Sequence, residues 1–413
     1  MQRLLGRLLI VAILCTLVVS GCAQSQPAAS SPSADSASTA APYRIGFLAA
    51  VSGGASSLGE PERDSAVMLQ EEINAAGGIL GPDGVRHPVE ILIYDTQSSA
   101  DTAITLAKKL IDDEQVVAII GPTTSTSAMA VIPVVQEAEV PLICMASSSA
   151  IVDPVAERFW VFKVAQSNAH TSPWQVRYAQ AMGWTKVANV YVDNAYGEDG
   201  AQAIRDAAAD AGIEIVLEET FGAADTDMSA QIVKIGASEA EGVLVTAIPP
   251  AAAIFTKQYR ELGATQPLIH NSGVAMMSFI DLAGAANAEG VVFPMGKLVA
   301  ADALADDDPQ KAVIQGFITD FEASAGTAPS TFAAHAWDSL EIVFQVLATL
   351  PDGLTVPEQR AQLRDGVESL QGFVGVDGVF NFSATDHVGL STDDVVLARI
   401  TDGAWVYFPE EEW

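Results

Sequence analysis

Basic residues are scarce in this chain: 20 Lys and Arg stand against 52 Asp and Glu among 413 residues, a formal net charge of −32. Such a surface repels phosphate backbones and anionic lipid headgroups, which excludes nucleic acid as a partner; the charge reads as a general solvated surface. Cysteine is rarer still. Cys15, Cys22 and Cys144 give no disulfide framework, and Cys144 lies in the apolar run Pro141-Leu142-Ile143-Cys144-Met145, where a lone cysteine packs as a small core residue. Enzyme signatures are missing as well: no H-E-x-x-H, no paired Cys, no G-x-S-x-G elbow and no phosphate-binding glycine loop. The five histidines, His87, His170, His270, His335 and His387, show no metal-ligand spacing. A catalyst, a resident metal and a cofactor are therefore not expected.

Long apolar runs are few. Leu8 to Val19 is one of twelve residues, short of the ~20 that a spanning helix needs. It follows Arg3 and Arg7 and ends in Val19-Ser20-Gly21-Cys22, the shape of an export signal. The small residues before Cys22 resemble a bacterial lipoprotein signal, in which that Cys becomes the lipidated first residue. Residues 1–21 are thus expected to be a lipoprotein signal peptide. Residues 22–42, rich in Ser, Ala, Pro and Gln with Asp35 as the single charge, are expected to be a disordered tether. The remaining ~370 residues exceed what one core usually serves, which predicts two lobes.

The stretch that organises those residues runs from Val116 to Ala128. The β-branched run Val116-Val117-Ala118-Ile119-Ile120 halts at Gly121-Pro122 and reads as a strand buried on both faces. Thr123-Thr124-Ser125-Thr126-Ser127 then stand where a helix begins. One hydroxyl there serves as an N-cap; five exceed that need, and the free N–H groups of a first turn favour a carboxylate. Around this stretch the pattern alternates. Strands are predicted at 44–49, 89–94 and 140–145, the last running into Ser147-Ser148-Ser149, with a flexible loop at 52–59 and helices at 64–76 and 101–112. After Phe159-Trp160-Val161-Phe162-Lys163 a second series begins, with strands at 186–192, 214–219, 242–247 and 267–271. Its helices are predicted at 171–182, 199–211, 229–238 and 251–262. Further helices at 309–325 and 331–348 follow, and strands near 379–382 and 395–400 close the chain. The predicted fold is α/β, two doubly wound parallel-sheet lobes in series with ligand loops at the carboxyl ends of the strands.

Ala50-Val51-Ser52-Gly53, Asn74-Ala75-Ala76-Gly77-Gly78-Ile79, Ile120-Gly121-Pro122, Asn194-Ala195-Tyr196-Gly197, Leu282-Ala283-Gly284 with Ala288-Glu289-Gly290, and His335-Ala336-Trp337-Asp338 occur in this order. Together they resemble the type I solute-binding proteins of bacterial ABC importers, in particular the Leu/Ile/Val-binding branch. The resemblance implies two lobes joined by three crossovers, an N-terminal lobe of 43–165 and 295–390, and a C-terminal lobe of 166–294 and 391–408. It implies a lipid-anchored extracytoplasmic protein that hands a small molecule to ABC permease subunits. It also implies a carboxylate held by Ser125, Ala146 and Ser148 and covered by Tyr196; Thr126 of the same hydroxyl run, with Leu58, Ile248, Asn271 and Ser272, is expected to complete the site. Amino-acid binders of the branch place an acidic residue near the position of Ser272, and here it is absent. A buried ammonium without a counter-charge costs several kcal/mol, so an aromatic or α-keto carboxylate is the expected ligand. Hydrophobic or branched-chain amino acids remain open if backbone carbonyls or Asp193 accept the ammonium. A ligand-sensing subunit of a receptor complex is a further alternative.

Overall fold

The computed structural model describes residues 40–413. The expected signal peptide, Cys22 and nearly all of the tether lie outside the described residues. In the first lobe β1 (Tyr43–Ala49) and α1 (Ser56–Ala75) lead through the hairpin β2 (Ile79–Leu80) and β3 (Arg86–His87) to β4 (Val89–Asp95) and α2 (Ala100–Asp112). β5 (Ala118–Ile120), α3 (Ser125–Glu137), β6 (Leu142–Cys144) and β7 (Val161–Lys163) follow. The main strands form a five-stranded, wholly parallel sheet in the order β4-β1-β5-β6-β7.

The second lobe takes α4 (Asn168–Ala181), β8 (Lys186–Val192), α5 (Ala195–Ala211), β9 (Glu214–Phe221), α6 (Ser229–Ala237) and β10 (Gly242–Thr246). It continues with α7 (Ala251–Glu261), β11 (Leu268–His270), α8 (Met277–Ala283), α9 (Ala285–Ala288) and β12 (Val292–Gly296). The chain then returns to the first lobe with α10 (Pro309–Ala325), α11 (Thr331–Leu347), α12 (Val356–Glu368) and the hairpin β13 (Gln371–Val374) and β14 (Val379–Asn381). Ser65 Oγ donates to Ala333 O at 2.8 Å, Arg360 Nε to Val116 O at 2.9 Å and Arg364 Nε to Phe159 O at 3.0 Å, which fixes these helices on the first sheet. β15 (Val395–Thr401) and β16 (Ala404–Tyr407) cross back and complete a seven-stranded sheet in the order β16-β15-β12-β11-β10-β8-β9. Two doubly wound lobes joined by three crossovers result.

The local chemistry explains the central layer. β5 and β6 are buried at every residue, so their apolar β-branched content faces helices on both sides. Gly121 ends β5 at φ +100°, and a Cβ there would stand 2.2 Å from Leu48 O, so the turn into α3 requires glycine. α3 buries Ala128, Val131, Ile132 and Val135, the i, i+3, i+4, i+7 stripe of a helix lying on a sheet. Each Val or Ile so buried contributes about 1.5–3 kcal/mol. α11 is buried almost all round, which makes it a core helix and carries its polar residues into the protein interior.

Several expectations are corrected. α1 begins at Ser56, not Asp64: the loop expected at 52–59 is half helix, because Leu58 packs into the core and a Cβ on Gly59 would lie 2.3 Å from Ala50 O. α5 begins at Ala195 rather than Asp199, capped by Asn194, so Tyr196 and Gly197 sit in a first helical turn. The second sheet is not wholly parallel, since β12 pairs β15 and β15 pairs β16 antiparallel. Edge strands added by a returning chain need no βαβ crossover. The 379–381 strand pairs with β13 in a hairpin outside both main sheets, and Pro294 lies within β12, opposite Leu397, so the second crossover follows Gly296. No helix among the described residues is long and apolar enough to cross a membrane.

Candidate functional site

The carboxyl ends of the two sheets enclose a cavity of about 380 Å³. From the first lobe its wall takes Leu58 of α1, the hydroxyl run Thr123 to Thr126, and Met145, Ala146 and Ser147 after β6. The second lobe contributes Asn194, Tyr196, Ile248, Pro249, Pro250, Ser272 and Gly273, while Phe332 and His335 enter from α11.

At the first wall, Thr124 caps α3: its side chain accepts from Ser127 N at 3.3 Å, and its carbonyl accepts from Ala128 N. The first-turn amides left for a ligand are those of Ser125 and Thr126. Because Thr124 is the cap, the Ser125 hydroxyl is free of that duty. Ser125 Oγ accepts from Ser148 N at 3.2 Å, which turns its own proton toward other acceptors. Thr123 is tied differently. Its Oγ1 accepts from Ala50 N at 2.9 Å and is hydrogen-bonded to Glu62, a wholly buried carboxyl that desolvation holds well above the usual range.

Beneath this wall lies Lys163, fully buried, whose Nζ donates to Ser147 O at 3.0 Å and Ser148 O at 3.1 Å. Burial lowers its pKa to about 8, opposed by the attraction of Asp199. No carboxylate lies within ion-pair distance of Lys163 among the described residues. A cation thus stands behind the hydroxyl cluster without a direct counter-ion, a field that favours an anion in the cavity. Asp199 itself joins the lobes: its Oδ2 accepts from Ser149 N at 3.0 Å on the first lobe and from Asn168 Nδ2 at 2.7 Å at the crossover.

On the second lobe, Asn194 Oδ1 accepts from Tyr196 N at 3.0 Å and Gly197 N at 3.1 Å, and this cap holds the Tyr196 ring at the cavity. Tyr196 Oη accepts from Gly273 N at 3.1 Å. Desolvation raises its pKa, so the phenol keeps its proton and has it to donate.

Seven of the nine expected ligand residues, Leu58, Ser125, Thr126, Ala146, Tyr196, Ile248 and Ser272, meet at this one cavity. The Ala146 amide is turned toward Cys144 Sγ at 3.4 Å. Ser148 and Asn271 do not reach the wall. The amide of Ser148 is given to Ser125 and its carbonyl to Lys163, so it braces the grip from behind. Asn271 spends its amide on Ser172 Oγ at 3.1 Å and Asn168 Oδ1 at 3.4 Å, and its Oδ1 on Ser272 N at 2.7 Å. Asp193, considered as an ammonium acceptor, is exposed and outside the wall. No Asp or Glu lines the cavity among the described residues. Sequence reasoning missed Asn194, whose signal was an Asn at a helix start, and His335 and Lys163, both inside stretches already singled out. Glu62 gave no signal, because it precedes the helix expected from Asp64 and an acidic residue between elements looks solvated.

With this geometry in place, comparisons with known proteins bear on it. The family model described as periplasmic binding protein matches residues 42–404. An amino acid binding protein of Pseudomonas aeruginosa is 27% identical over 72% of this chain and 76% of its own length. Among solved structures, an extracellular ligand-binding receptor from Rhodopseudomonas palustris superimposes with a TM-score of 0.82 at 27% identity, covering 89% of this chain and 99% of that one. The branched-chain amino acid transporter substrate binding protein LivJ of Streptococcus pneumoniae, in complex with isoleucine, gives 0.75 at 25% identity, again over 89% and 99%.

Proposed function

As the chain belongs to the periplasmic binding protein family, we propose that it captures a small carboxylate between its two lobes outside the cytoplasm and delivers it to an ABC permease. The ligand is an aromatic or α-keto acid. The observation that carries this reading is the sign of the cavity: Ser125 and Thr126, at the start of α3, line it, Lys163 lies behind it, and among the described residues no acidic side chain lines it. An anion is met by donors and a nearby cation, whereas an ammonium would be stranded. Tyr196, Ile248, Pro249 and Phe332 supply apolar surface for a ring or a branched chain.

The rival ligand class is a hydrophobic or branched-chain amino acid, favoured by the isoleucine complex of the streptococcal relative. A thermal-shift and calorimetric screen separates the two, with phenylpyruvate, benzoylformate and branched keto acids set against leucine, valine and phenylalanine. Binding of the keto or aromatic acids alone supports the proposal, and binding of the amino acids alone overturns it. Attachment through lipid on Cys22 belongs to the same proposal, motivated by the Val19-Ser20-Gly21-Cys22 junction. Cys22→Ser is expected to release the protein from the membrane fraction; retention there would refute the anchor.

A further inference from the structure

The cavity is a slot rather than a round pocket. In the first lobe its wall is built by the loops that follow four neighbouring strands: Met145 to Ser147 after β6, Thr123 to Thr126 after β5, Gly54 and Ala55 after β1, and Ser98 after β4. The second wall also crosses four neighbours, from Ser272 after β11 to Ala223 and Ala224 after β9. Adjacent strands lie about 4.8 Å apart, so the reach from the start of α3, after β5, to Ser98, after β4, is two spacings, or about 10 Å. An extended chain advances ~3.5 Å for every three bonds, which makes that reach about eight bonds long. The side chain of leucine covers about half of it.

The far end of the slot is both held in place and open. Asp95 Oδ1 accepts from Ser52 N at 3.0 Å and Gln97 N at 2.8 Å, and its Oδ2 accepts from Ser52 Oγ at 2.6 Å. Ser98 Oγ donates to Ser52 O at 2.8 Å and accepts from Ala55 N at 3.0 Å. These bonds keep Gln97 and Ser98 at φ +54° and +56°, a region that residues other than glycine hold only where their surroundings fix it. Gly54 is exposed beside them, its φ lies outside the left-handed region, and a Cβ there would meet nothing within 4 Å. The turn does not demand glycine at that position; the missing side chain leaves the slot open to solvent. Between the α3 grip and this mouth the floor is apolar, made by Leu58 of α1 and Phe332 of α11, both buried. The charges behind the two ends differ in sign. Lys163 stands behind the grip, and Asp95 stands behind the mouth, where the bonds from Ser52 and Gln97 outweigh partial burial and hold its carboxyl below the usual range.

We propose that Gly54 and Ser98 form the outer end of a second subsite, which takes the tail of an elongated monocarboxylate with an apolar acyl or aryl body about eight bonds long and an uncharged far end at the mouth. This rests on the carboxylate reading given above and narrows it: Ser125 and Thr126 determine that a carboxylate binds, and the slot determines its length and the charge of its tail. Short branched acids leave the outer half of the slot to water. A second carboxylate at the tail would meet the field of Asp95 with no donor to receive it.

The test is calorimetry on the full chain with pentanoate, heptanoate, nonanoate, undecanoate and nonanedioate. Wild type is expected to gain about fourfold in affinity per added methylene from pentanoate to nonanoate and to level off by undecanoate, whose end emerges into solvent. Gly54→Leu places a branched side chain in the mouth and is expected to cut the ratio of nonanoate to pentanoate affinity by about tenfold or more. Nonanedioate is expected to bind about tenfold or more weakly than nonanoate. Affinity that falls beyond pentanoate, a ratio that Gly54→Leu leaves within about twofold, or nonanedioate bound as tightly as nonanoate overturns the inference and leaves the carboxylate reading standing. A wild type that binds neither this series nor the aromatic and keto acids overturns both. Should Gly54→Leu fail to fold, photolabelling of the wild type with a nonanoate carrying a terminal diazirine decides: label within residues 52–58 or 97–99 is expected, and label confined to other peptides overturns the inference.

Discussion

Removal of the Ser125 hydroxyl tests the grip at its centre. Ser125 is the first residue of α3, is buried, and accepts from Ser148 N, so its proton and its amide remain for the ligand. Ser125→Ala deletes one hydrogen bond to a charged carboxylate, which is worth about 1.5–3 kcal/mol. At about 1.4 kcal/mol per decade, affinity falls by roughly ten- to more than a hundredfold. The same change strips Ser148 N of its acceptor. That bond is long at 3.2 Å, so the cost to the unliganded protein lies near the low end of the range for a stranded buried amide, about 1 kcal/mol. In a protein of this size that lowers the melting temperature by about 2 °C or less. Calorimetry with whichever acid stabilises the wild type, together with a thermal melt of the unliganded variant, reads the two effects separately. Affinity within about twofold of wild type would refute the placement of the carboxylate at α3. A large loss of melting temperature with normal affinity would reduce Ser125 to a brace.

Further outcomes follow from the same geometry. Affinity for a carboxylate is expected to decline as pH rises from 7 to 9, because Lys163, with its pKa lowered to about 8, loses the charge behind the site; calorimetry showing a flat profile would remove Lys163 from the argument. Asp199→Ala deletes the acceptor of Ser149 N across the lobes and is expected to weaken ligand binding by about tenfold through loss of the closed form, with unchanged affinity counting against a latch. Burial and the nearby Glu72 raise Glu341 from 4.5 to about 7. The stability its proton confers is full below pH 4.5 and lost as pH rises through 7, so Glu341→Gln is expected to be more stable than wild type by up to about 3 kcal/mol at and above neutral pH and nearly equal near pH 4. Denaturant titrations at the two pH values read this, and equal curves at pH 7 would contradict it. Cys144, buried with its thiol pushed up to about 12, is expected to resist alkylation until the protein unfolds; peptide mapping that finds it modified in the native protein would disprove its burial.

The sequence by itself determined the two-lobed α/β fold and the loop after β5, because apolar β-branched runs ended by Gly and Pro have few alternatives to a buried parallel strand. Seven of the nine residues expected from the hydroxyl run and from the resemblance line one cavity, the hydroxyls at a helix start being the local signal among them. What only the tertiary structure decided depends on partners distant in the chain. Ser148 and Asn271 carry the right chemistry, but the Ser148 backbone is spent on Ser125 and Lys163 and the Asn271 amide on Asn168 and Ser172, and sequence spacing holds no record of which polar groups are already satisfied. Helix α1 begins eight residues early because Gly59 fits under the Ala50 carbonyl, a fit that needs the sheet to exist first. Lys163 and Glu62 look like ordinary charges in a string of letters. Burial lowers the pKa of the one to about 8 beneath the hydroxyl cluster and holds that of the other well above the usual carboxylate range, because the cost of desolvating a charge depends on what surrounds it in three dimensions. His335 and Asp377 are 42 residues apart, and only the packing of α11 against the β13–β14 turn sets one ring nitrogen on Asp377 with the ring in the cavity wall.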